Sequence, residues 1–164
     1  MTPVLKVVAI ASAIATVWTM AAATAAAGTK LPAELVVHGA TLTQAFGCTS
    51  VALEPFDPYC ASRHFHSGVD LAASEGTPVH AAATGRVRSG SDRAGCGLYV
   101  AVTVDRHVRV LYCHLSRVTA SLRDVSAGDV IGAVGSTGLA TGAHLHLEVD
   151  VDGRAVDPLR WLAS

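Results

Sequence analysis

Two neighbouring stretches decide the fold class of this chain: residues 98–104, LYVAVTV, and residues 108–112, VRVLY. In both, apolar side chains recur at every second position, which is the period of a half-buried β-strand. Asp105-Arg106-His107 lies between them and has the composition of a turn, so the pair is predicted to form a hairpin. Residues 85–88, GRVR, and 144–149, HLHLEV, alternate in the same way.

Glycine-rich turns separate the predicted strands. The chain has 15 glycines, and residues 127–138, AGDVIGAVGSTG, carry no helical period. Residues 116–125 are predicted to hold one helical turn or none. Many short strands with glycine-rich turns predict an all-β fold, an antiparallel sandwich or partly open barrel. A length of 164 residues fits a single domain.

The N-terminal segment is predicted to be a secretory signal. Lys6 supplies a positive charge, residues 7–29 carry none, and residues 7–18 form an apolar run. Residues 25–27, AAA, offer a small-residue cleavage pattern, with Gly28 as the first mature residue. The alternative is an uncleaved membrane anchor, because the uncharged segment is long enough to span a bilayer.

The predicted boundaries follow from this segment: a signal peptide over 1–27, a short tether over 28–37 and one domain over 38–164. Cleaved or anchored, the domain is expected to be secreted or otherwise extracytoplasmic, with no membrane contact after cleavage. The chain has 12 Lys and Arg, 13 Asp and Glu, and a formal net charge of −1. This balance offers no electrostatic basis for binding nucleic acid or an anionic membrane.

All four cysteines, Cys48, Cys60, Cys96 and Cys113, lie in the predicted exported part. An even number of cysteines in a small exported domain favours disulfides, and three pairings are possible. Local pairing, Cys48 with Cys60 and Cys96 with Cys113, is the prediction. The first bond would clip a proline-containing loop and the second would tie two neighbouring strands. Zinc ligation by the thiols is the alternative, although no C-x-x-C pair occurs.

Three histidine clusters carry the chemistry that can be predicted. His66 and Asp70 are four residues apart in HSGVD, and His114 follows a predicted strand. His144 and His146 are two apart on a strand, so their side chains share one face, and Glu148 follows on that face. Two imidazoles and a carboxylate suit Zn²⁺. Each cluster alone is more typical of ordinary, partly exposed histidines than of a metal site, and composition does not show that the clusters meet.

Seven segments resemble the LytM/lysostaphin-type zinc metalloendopeptidases, also called the β-lytic metallopeptidase family. In order and spacing they are FG (46–47), HSGVD (66–70), GTPVHAAATGRV (76–87), YCHLS (112–116), GDVIGAVG (128–135), TGAHLHLE (141–148) and DPLRWL (157–162). The resemblance runs from about Thr41 to Leu162 and implies a groove-bearing fold of the duplicated-hybrid-motif type.

The resemblance also implies residue roles. His66, Asp70 and His146 would bind one Zn²⁺ per chain, while His114 and His144 would act on the attacking water and stabilise the oxyanion. Apart from the resemblance, the position of Glu148 on the same strand predicts that it either holds a ligand imidazole or faces solvent. No H-E-x-x-H occurs, which excludes a thermolysin-like helix.

Three positions depart from the family pattern. Cys48-Thr49 stand where an Arg commonly follows Phe-Gly, Leu98 stands where Asn is common, and Cys113 replaces a small residue. These positions concern the edges of the groove and the packing of strands, not the five metal and catalytic positions.

The function implied is zinc-dependent hydrolysis of peptide stems or cross-bridges of bacterial peptidoglycan by a monomer. The main alternative is a catalytically silent regulator of the same family, which typically lacks some of the five residues that are all present here. A lipoyl-carrier-like module is excluded because the chain has only Lys6 and Lys30, neither on a hairpin. A D,D-carboxypeptidase-like zinc enzyme would have a longer His-to-Asp spacing than the one in 66–70.

Overall fold

The computed structural model describes residues 30–119 and 124–164. The predicted signal peptide over 1–27 and the first two residues of the predicted tether lie outside the described residues. The expectation for residues 116–125 falls partly outside them as well. Within the described part, neither helix has the length and apolar character needed to cross a bilayer.

Short strands make up most of the described chain, with a single short helix near each end. The helices are α1 (Ala33–Val36) and α2 (Pro158–Leu162). The strands are β1 (Thr41–Gln44), β2 (Gly47–Thr49), β3 (His64–His66), β4 (Gly68–Ala72), β5 (Pro78–His80), β6 (Gly85–Asp92), β7 (Gly97–Thr103), β8 (Val108–Leu115), β9 (Arg117–Val118), β10 (Asp124–Val125), β11 (Val130–Ala133), β12 (His144–Val151) and β13 (Arg154–Val156).

The strands form three antiparallel sheets. The largest has eight strands in the order β1-β4-β12-β8-β7-β6-β10, with β13 paired to β12. A three-stranded sheet has the order β5-β11-β9, and β2 pairs with β3. The predicted hairpin is present as β7 and β8, in which Val102 lies opposite Val110. The prediction of a single-domain, all-β antiparallel fold is confirmed, and no closed barrel forms among the described residues.

The hydrophobic core is built from the inward faces of these strands. Each buried Val, Leu or Ile side chain contributes about 1.5–3 kcal/mol relative to exposure. Tyr112 is fully buried, and its hydroxyl accepts a hydrogen bond of 2.7 Å from the Ala82 amide, so this residue belongs to the core. Fully buried aliphatic core residues include Val69, Val79, Val100, Val102, Val110, Ile131, Leu145 and Leu147.

The tether predicted over residues 28–37 is not a free segment where the structure describes it. Val36 and Val37 are buried in the core, and the Leu31 amide donates to the Ala82 carbonyl over 2.7 Å. The Lys30 ammonium lies 4.7 Å from the ring centroid of Trp161 on α2. Two adjacent apolar β-branched side chains gain more from burial than from exposure in a linker. Residues 30–37 therefore belong to the folded domain.

The predicted disulfide pairing is confirmed. Cys48 pairs with Cys60, which closes the loop between β2 and β3. Cys96 pairs with Cys113, which ties the residue before β7 to β8. The alternative of zinc ligation by the thiols is therefore wrong.

Candidate active site

Strands β4 and β12 bring two of the predicted clusters together. They are neighbours in the large sheet, and Asp70 lies opposite His146 in their register. A side chain at Gly68 would have no room, since a Cβ built there would lie 2.8 Å from Cε1 of His146. Glycine at this position thus allows the His146 ring to lie against β4.

Three ligand atoms form a compact set that we call the donor triangle: His66 Nε2, Asp70 Oδ1 and His146 Nδ1. His66 Nε2 lies 3.0 Å from His146 Nδ1 and 3.2 Å from Asp70 Oδ1. The third side, His146 Nδ1 to Asp70 Oδ1, is 3.1 Å. Tetrahedral zinc with bonds of about 2.0–2.1 Å keeps its ligand atoms about 3.3–3.4 Å apart. The donor types and spacing therefore fit a zinc ion with small outward shifts.

Polar partners outside the triangle orient both of its imidazoles. Nδ1 of His66 donates to the Ala45 carbonyl over 2.9 Å, which leaves the Nε2 lone pair facing the triangle. Nε2 of His146 points the other way and lies 3.7 Å from Glu148 Oε2, so its Nδ1 faces the triangle. Glu148 in turn accepts a hydrogen bond of 2.5 Å from the Ser67 hydroxyl. Such outer partners fix the ring orientation of metal-binding histidines.

The carboxylates and imidazoles at the donor triangle pair with one another, and this pairing shifts their pKa values. Burial would raise the pKa of Asp70, but pairing with the His146 and His66 rings outweighs it and holds that pKa well below its usual range. Burial would likewise lower the pKa of His146, but the carboxylates of Asp70 and Glu148 raise it to about 9. The pKa of Glu148 is lowered, since His146 and Ser67 outweigh its burial. Without a metal, His146 is therefore protonated at neutral pH.

A β-bulge directs His114 to the same site. Leu98 pairs with Leu115 and Val100 pairs with Tyr112, so two residues of β8 face only one residue of β7. His114 is one of the two and has a φ of 63°, in the left-handed region. A bulge turns a side chain away from the regular alternation of its strand. Tyr112 therefore points into the core, whereas His114 lines the cleft.

His114 and His144 face each other across the cleft. Their ring centroids are 4.7 Å apart, and Nε2 of His144 lies 3.7 Å from Asp70 Oδ1. Each ring uses Nδ1 to donate to a backbone carbonyl, that of Thr137 at 2.8 Å for His114 and that of Gly142 at 2.9 Å for His144. Both Nε2 atoms are thus left as acceptors. Burial lowers the pKa of His114, more than the Thr137 carbonyl raises it.

The cleft around these residues has a volume of about 370 Å³. Its walls carry apolar side chains that are partly exposed, among them Val51 at 39%, Leu53 at 53% and Leu139 at 51%. Glu54, in the loop closed by Cys48–Cys60, also lines the cleft; its Oε1 accepts from Gln44 over 2.8 Å and lies 3.9 Å from His66 Nε2. An open cleft with mixed walls is suited to an extended peptide.

The structure brings all five predicted site residues together and adds three that the sequence analysis did not assign. Ser67 lies within the HSGVD segment, but its hydroxyl donates a hydrogen bond to Glu148, 81 residues away along the chain. Thr137 acts through its backbone carbonyl, and Glu54 lies in a loop without strand periodicity. Only Ser67 had a local sequence signal, since it lies between two predicted ligands.

The remaining histidines described by the structure lie outside the donor triangle. His64 faces the Glu54 carbonyl at 2.7 Å, and His80 faces the Gly128 carbonyl at 2.9 Å. His107 pairs with Asp152 on an exposed turn. These contacts give each ring a structural partner.

Comparisons with known proteins place the site in a family context. The sequence profile of peptidase family M23 matches residues 64–158. The DD-carboxypeptidase/endopeptidase Mpg of Neisseria meningitidis is 40% identical over 102 residues, which are 62% of this chain and 24% of that protein. The peptidoglycan DD-endopeptidase ShyA of Vibrio cholerae is 36% identical over 96 residues, 58% of this chain and 22% of that protein. The chain thus spans about a quarter of the length of these curated relatives.

Solved structures show the same fold. The catalytic domain of lysostaphin from Staphylococcus simulans superposes with a TM-score of 0.67 at 29% identity, covering 83% of this chain and all of that one. The catalytic domain of the M23 protein EnpA from Enterococcus faecalis has a TM-score of 0.61 at 32% identity, covering 74% of this chain and 90% of that one. The profile match, over residues 64–158, spans all three residues of the donor triangle.

Proposed function

Because the chain belongs to peptidase family M23, we propose that it is a zinc-dependent endopeptidase that hydrolyses peptide stems or cross-bridges of bacterial peptidoglycan. The observation that carries the proposal is the donor triangle, whose three atoms lie 3.0–3.2 Å apart with two histidines beside it. The peptidoglycan substrate is supported by relatives whose names describe endopeptidases of that polymer.

The residues present fit one zinc ion per chain. His66, Asp70 and His146 would hold it, because their donor atoms already converge. The Ala45 carbonyl beside His66 and the Glu148 carboxylate beside His146 leave one nitrogen of each ring facing inward. When bound, zinc supplies Lewis acidity and lowers the pKa of a water from 15.7 to about 7. Three protein ligands leave a position open for catalysis.

His114 and His144 supply the proton chemistry. The lowered pKa of His114 keeps its Nε2 unprotonated at neutral pH, so this atom can accept a proton from the attacking water. The protonated ring then donates to the leaving amine. His144 donates from Nδ1 to the Gly142 carbonyl, and its Nε2 faces Asp70 at 3.7 Å. This Nε2 can share the proton with His114, and the charged ring can then stabilise the oxyanion.

The site of action is proposed to be outside the cytoplasm, in the cell wall or an equivalent space. Disulfides persist in oxidising compartments, and the structure has two of them. The signal peptide over 1–27, the monomeric state and peptidoglycan peptides as the only partners remain predictions.

The experiment that tests the function measures two quantities on the purified, oxidised protein. One is the zinc content per chain; the other is the release of new amino termini from purified peptidoglycan, with fragments identified by mass spectrometry. About one zinc per chain with release supports the proposal and lets the fragments identify the bond. If the protein contains no zinc and also cleaves none of several types of peptidoglycan, the catalytically silent regulator becomes the better explanation.

Zinc binding at pH 7 is expected to release at least one proton per ion. The raised pKa of His146, about 9, means that this ring is charged in the metal-free protein, whereas zinc binds the neutral ring. Apparent zinc affinity should therefore rise with pH until about pH 9. Titration calorimetry in buffers of different ionisation enthalpy measures the released proton. No release at pH 7 would show that His146 is already neutral.

The same pKa predicts how the metal-free protein responds to alkali. A folded pKa raised above the unfolded value of 6.5 contributes stability below about pH 6.5, and that contribution is lost as the pH rises through about 9. Chelator-treated protein should thus become less stable to urea over this window, while zinc-loaded protein should not.

Replacing Glu148 by Gln is expected to lower zinc affinity by about 10–100-fold, because outer partners of metal-binding histidines have effects of this size. The change removes the carboxylate charge beside His146 while keeping the size of the side chain. Asp150→Asn is the matched control, since Asp150 is on the same strand and pairs with Arg109 instead. Competition with a chromophoric chelator measures the zinc affinity of each variant. Equal affinities in Glu148→Gln and Asp150→Asn would show that Glu148 does not support the metal site.

A further inference from the structure

His114 is held in an unusual backbone conformation close to a disulfide. Its φ of 63° is uncommon for a residue with a side chain, and such conformations cost about 1–3 kcal/mol unless neighbouring structure holds them. Cys113 immediately precedes it in the bulge and is bonded to Cys96. The His114 amide donates to the carbonyl of the same Cys96 over 2.8 Å. Cys96 thus holds this part of β8 twice, through its disulfide to Cys113 and through its hydrogen bond from the His114 amide.

The ring of His114 is held by a second loop that packs on the first. Thr137 accepts from Nδ1 through its carbonyl, while its hydroxyl accepts from the Leu98 amide over 2.9 Å and donates to the Leu115 carbonyl over 2.8 Å. A Cβ built on Gly97 would clash with Thr137, and one on Gly138 would clash with Gly97. The two loops are therefore in close backbone contact. A displacement of residues 95–97 would therefore also displace Thr137, and with it the carbonyl that holds the His114 ring.

The metal-site residues do not depend on the Cys96–Cys113 bond in this way. His146 lies on β12, whose backbone is paired on one side with β4 and on the other with β8. Cys113 lies opposite His146 in that ladder, but the pairing continues from Tyr112 to Val108. His66 is held by its hydrogen bond to Ala45. Loss of the disulfide should leave the donor triangle in place.

We propose that the Cys96–Cys113 disulfide is a positioning element for His114: it holds the residue in the bulge so that Nε2 faces the cleft. The inference rests on the proposed function, because it assumes that His114 handles a proton there.

The test compares two double variants of the oxidised protein. Cys96→Ala with Cys113→Ala removes the proposed positioning bond, and Cys48→Ala with Cys60→Ala removes the other disulfide. The closed loops have similar sequence separations, 17 and 12, so both variants should lose thermal stability to a similar extent. The measurements are zinc content, kcat and KM on a soluble wall peptide, and amide hydrogen exchange at His114.

For the first variant we expect zinc near one per chain, a fall in kcat of about 10–100-fold with little change in KM, and faster exchange of the His114 amide. The second variant should keep the His114 exchange rate of the wild type. Equal kcat values in the first variant and the wild type, or equal exchange rates, would overturn the proposal. Loss of zinc from the first variant would also overturn it, because the bond would then act on the metal site.

A second measurement covers the case in which the first variant does not fold. Graded reduction of wild-type protein with a phosphine converts each disulfide to two thiols, and alkylation followed by mass spectrometry reports which pair has opened. The fall in kcat should follow the opening of Cys96–Cys113 and not that of Cys48–Cys60. Wild-type protein that never cleaves peptidoglycan would refute the proposed function instead, while the His114 exchange rates would still test the positioning.

Discussion

Replacing His146 by Ala is expected to abolish both zinc binding and the cleavage of peptidoglycan. The variant removes one corner of the donor triangle, the His146 Nδ1 that lies 3.0 Å from His66 Nε2 and 3.1 Å from Asp70 Oδ1. With two ligands left, zinc would be held too weakly to survive purification, since sites of this type use three protein ligands. The expected zinc content is close to zero, and release of amino termini should fall to background.

The control for this variant is His107→Ala. His107 is exposed on the turn before β8 and pairs with Asp152, away from the cleft. It should keep the zinc content and the cleavage of the wild type. Circular dichroism should show that both variants are folded. Full zinc content in His146→Ala would mean that another residue completes the site, for example Glu54, whose Oε1 lies 3.9 Å from His66 Nε2.

Replacing His114 by Ala is expected to lower kcat by about 10²–10⁴-fold while zinc stays bound, because general acid–base groups contribute effects of this size. His114 lies beside the donor triangle and is not one of its corners: its ring centroid is 6.1 Å from that of His146. The readouts are zinc content, kcat and KM. A parallel loss of zinc would reassign His114 as a ligand.

The pH profile gives a second test of His114. Its burial lowers the pKa below 6.5, so the unprotonated ring persists to pH values below that. The acid limb of kcat/KM in the wild type should therefore lie below pH 6.5, and His114→Ala should remove or shift it. An unchanged acid limb in this variant would assign that limb to another group, His144 being the first to test.

The sequence predicts the fold class well because strand periodicity is a local property. The alternation in residues 98–104 and 108–112 predicts the hairpin formed by β7 and β8, and the alternation in 144–149 predicts β12. The shared face of His144 and His146 follows from the same period of two, and both line the cleft. Local pairing of the four cysteines is also confirmed, since each bond closes a short loop.

Contacts between distant segments could not be predicted in this way. The sequence alone does not bring residues 66–70 to the HLHLE strand, because that depends on the β4–β12 register. Residues 28–37 are likewise predicted to be a tether from the sequence, whereas Val36 and Val37 are buried in a core formed by residues much later in the chain. Ser67 and Glu148 meet only across that same pair of strands.

The sequence by itself determined the strand pattern and the types of donor atom and, through resemblance, predicted five site residues that the structure brings together. Periodicity and side-chain chemistry are carried by each residue and its near neighbours, so they can be read without coordinates. The tertiary structure decided where those donors meet, which nitrogen of each imidazole faces inward, and how a bulge turns His114 out of the core. These depend on strand register and on hydrogen bonds between segments up to 81 residues apart, which only the folded chain brings within reach.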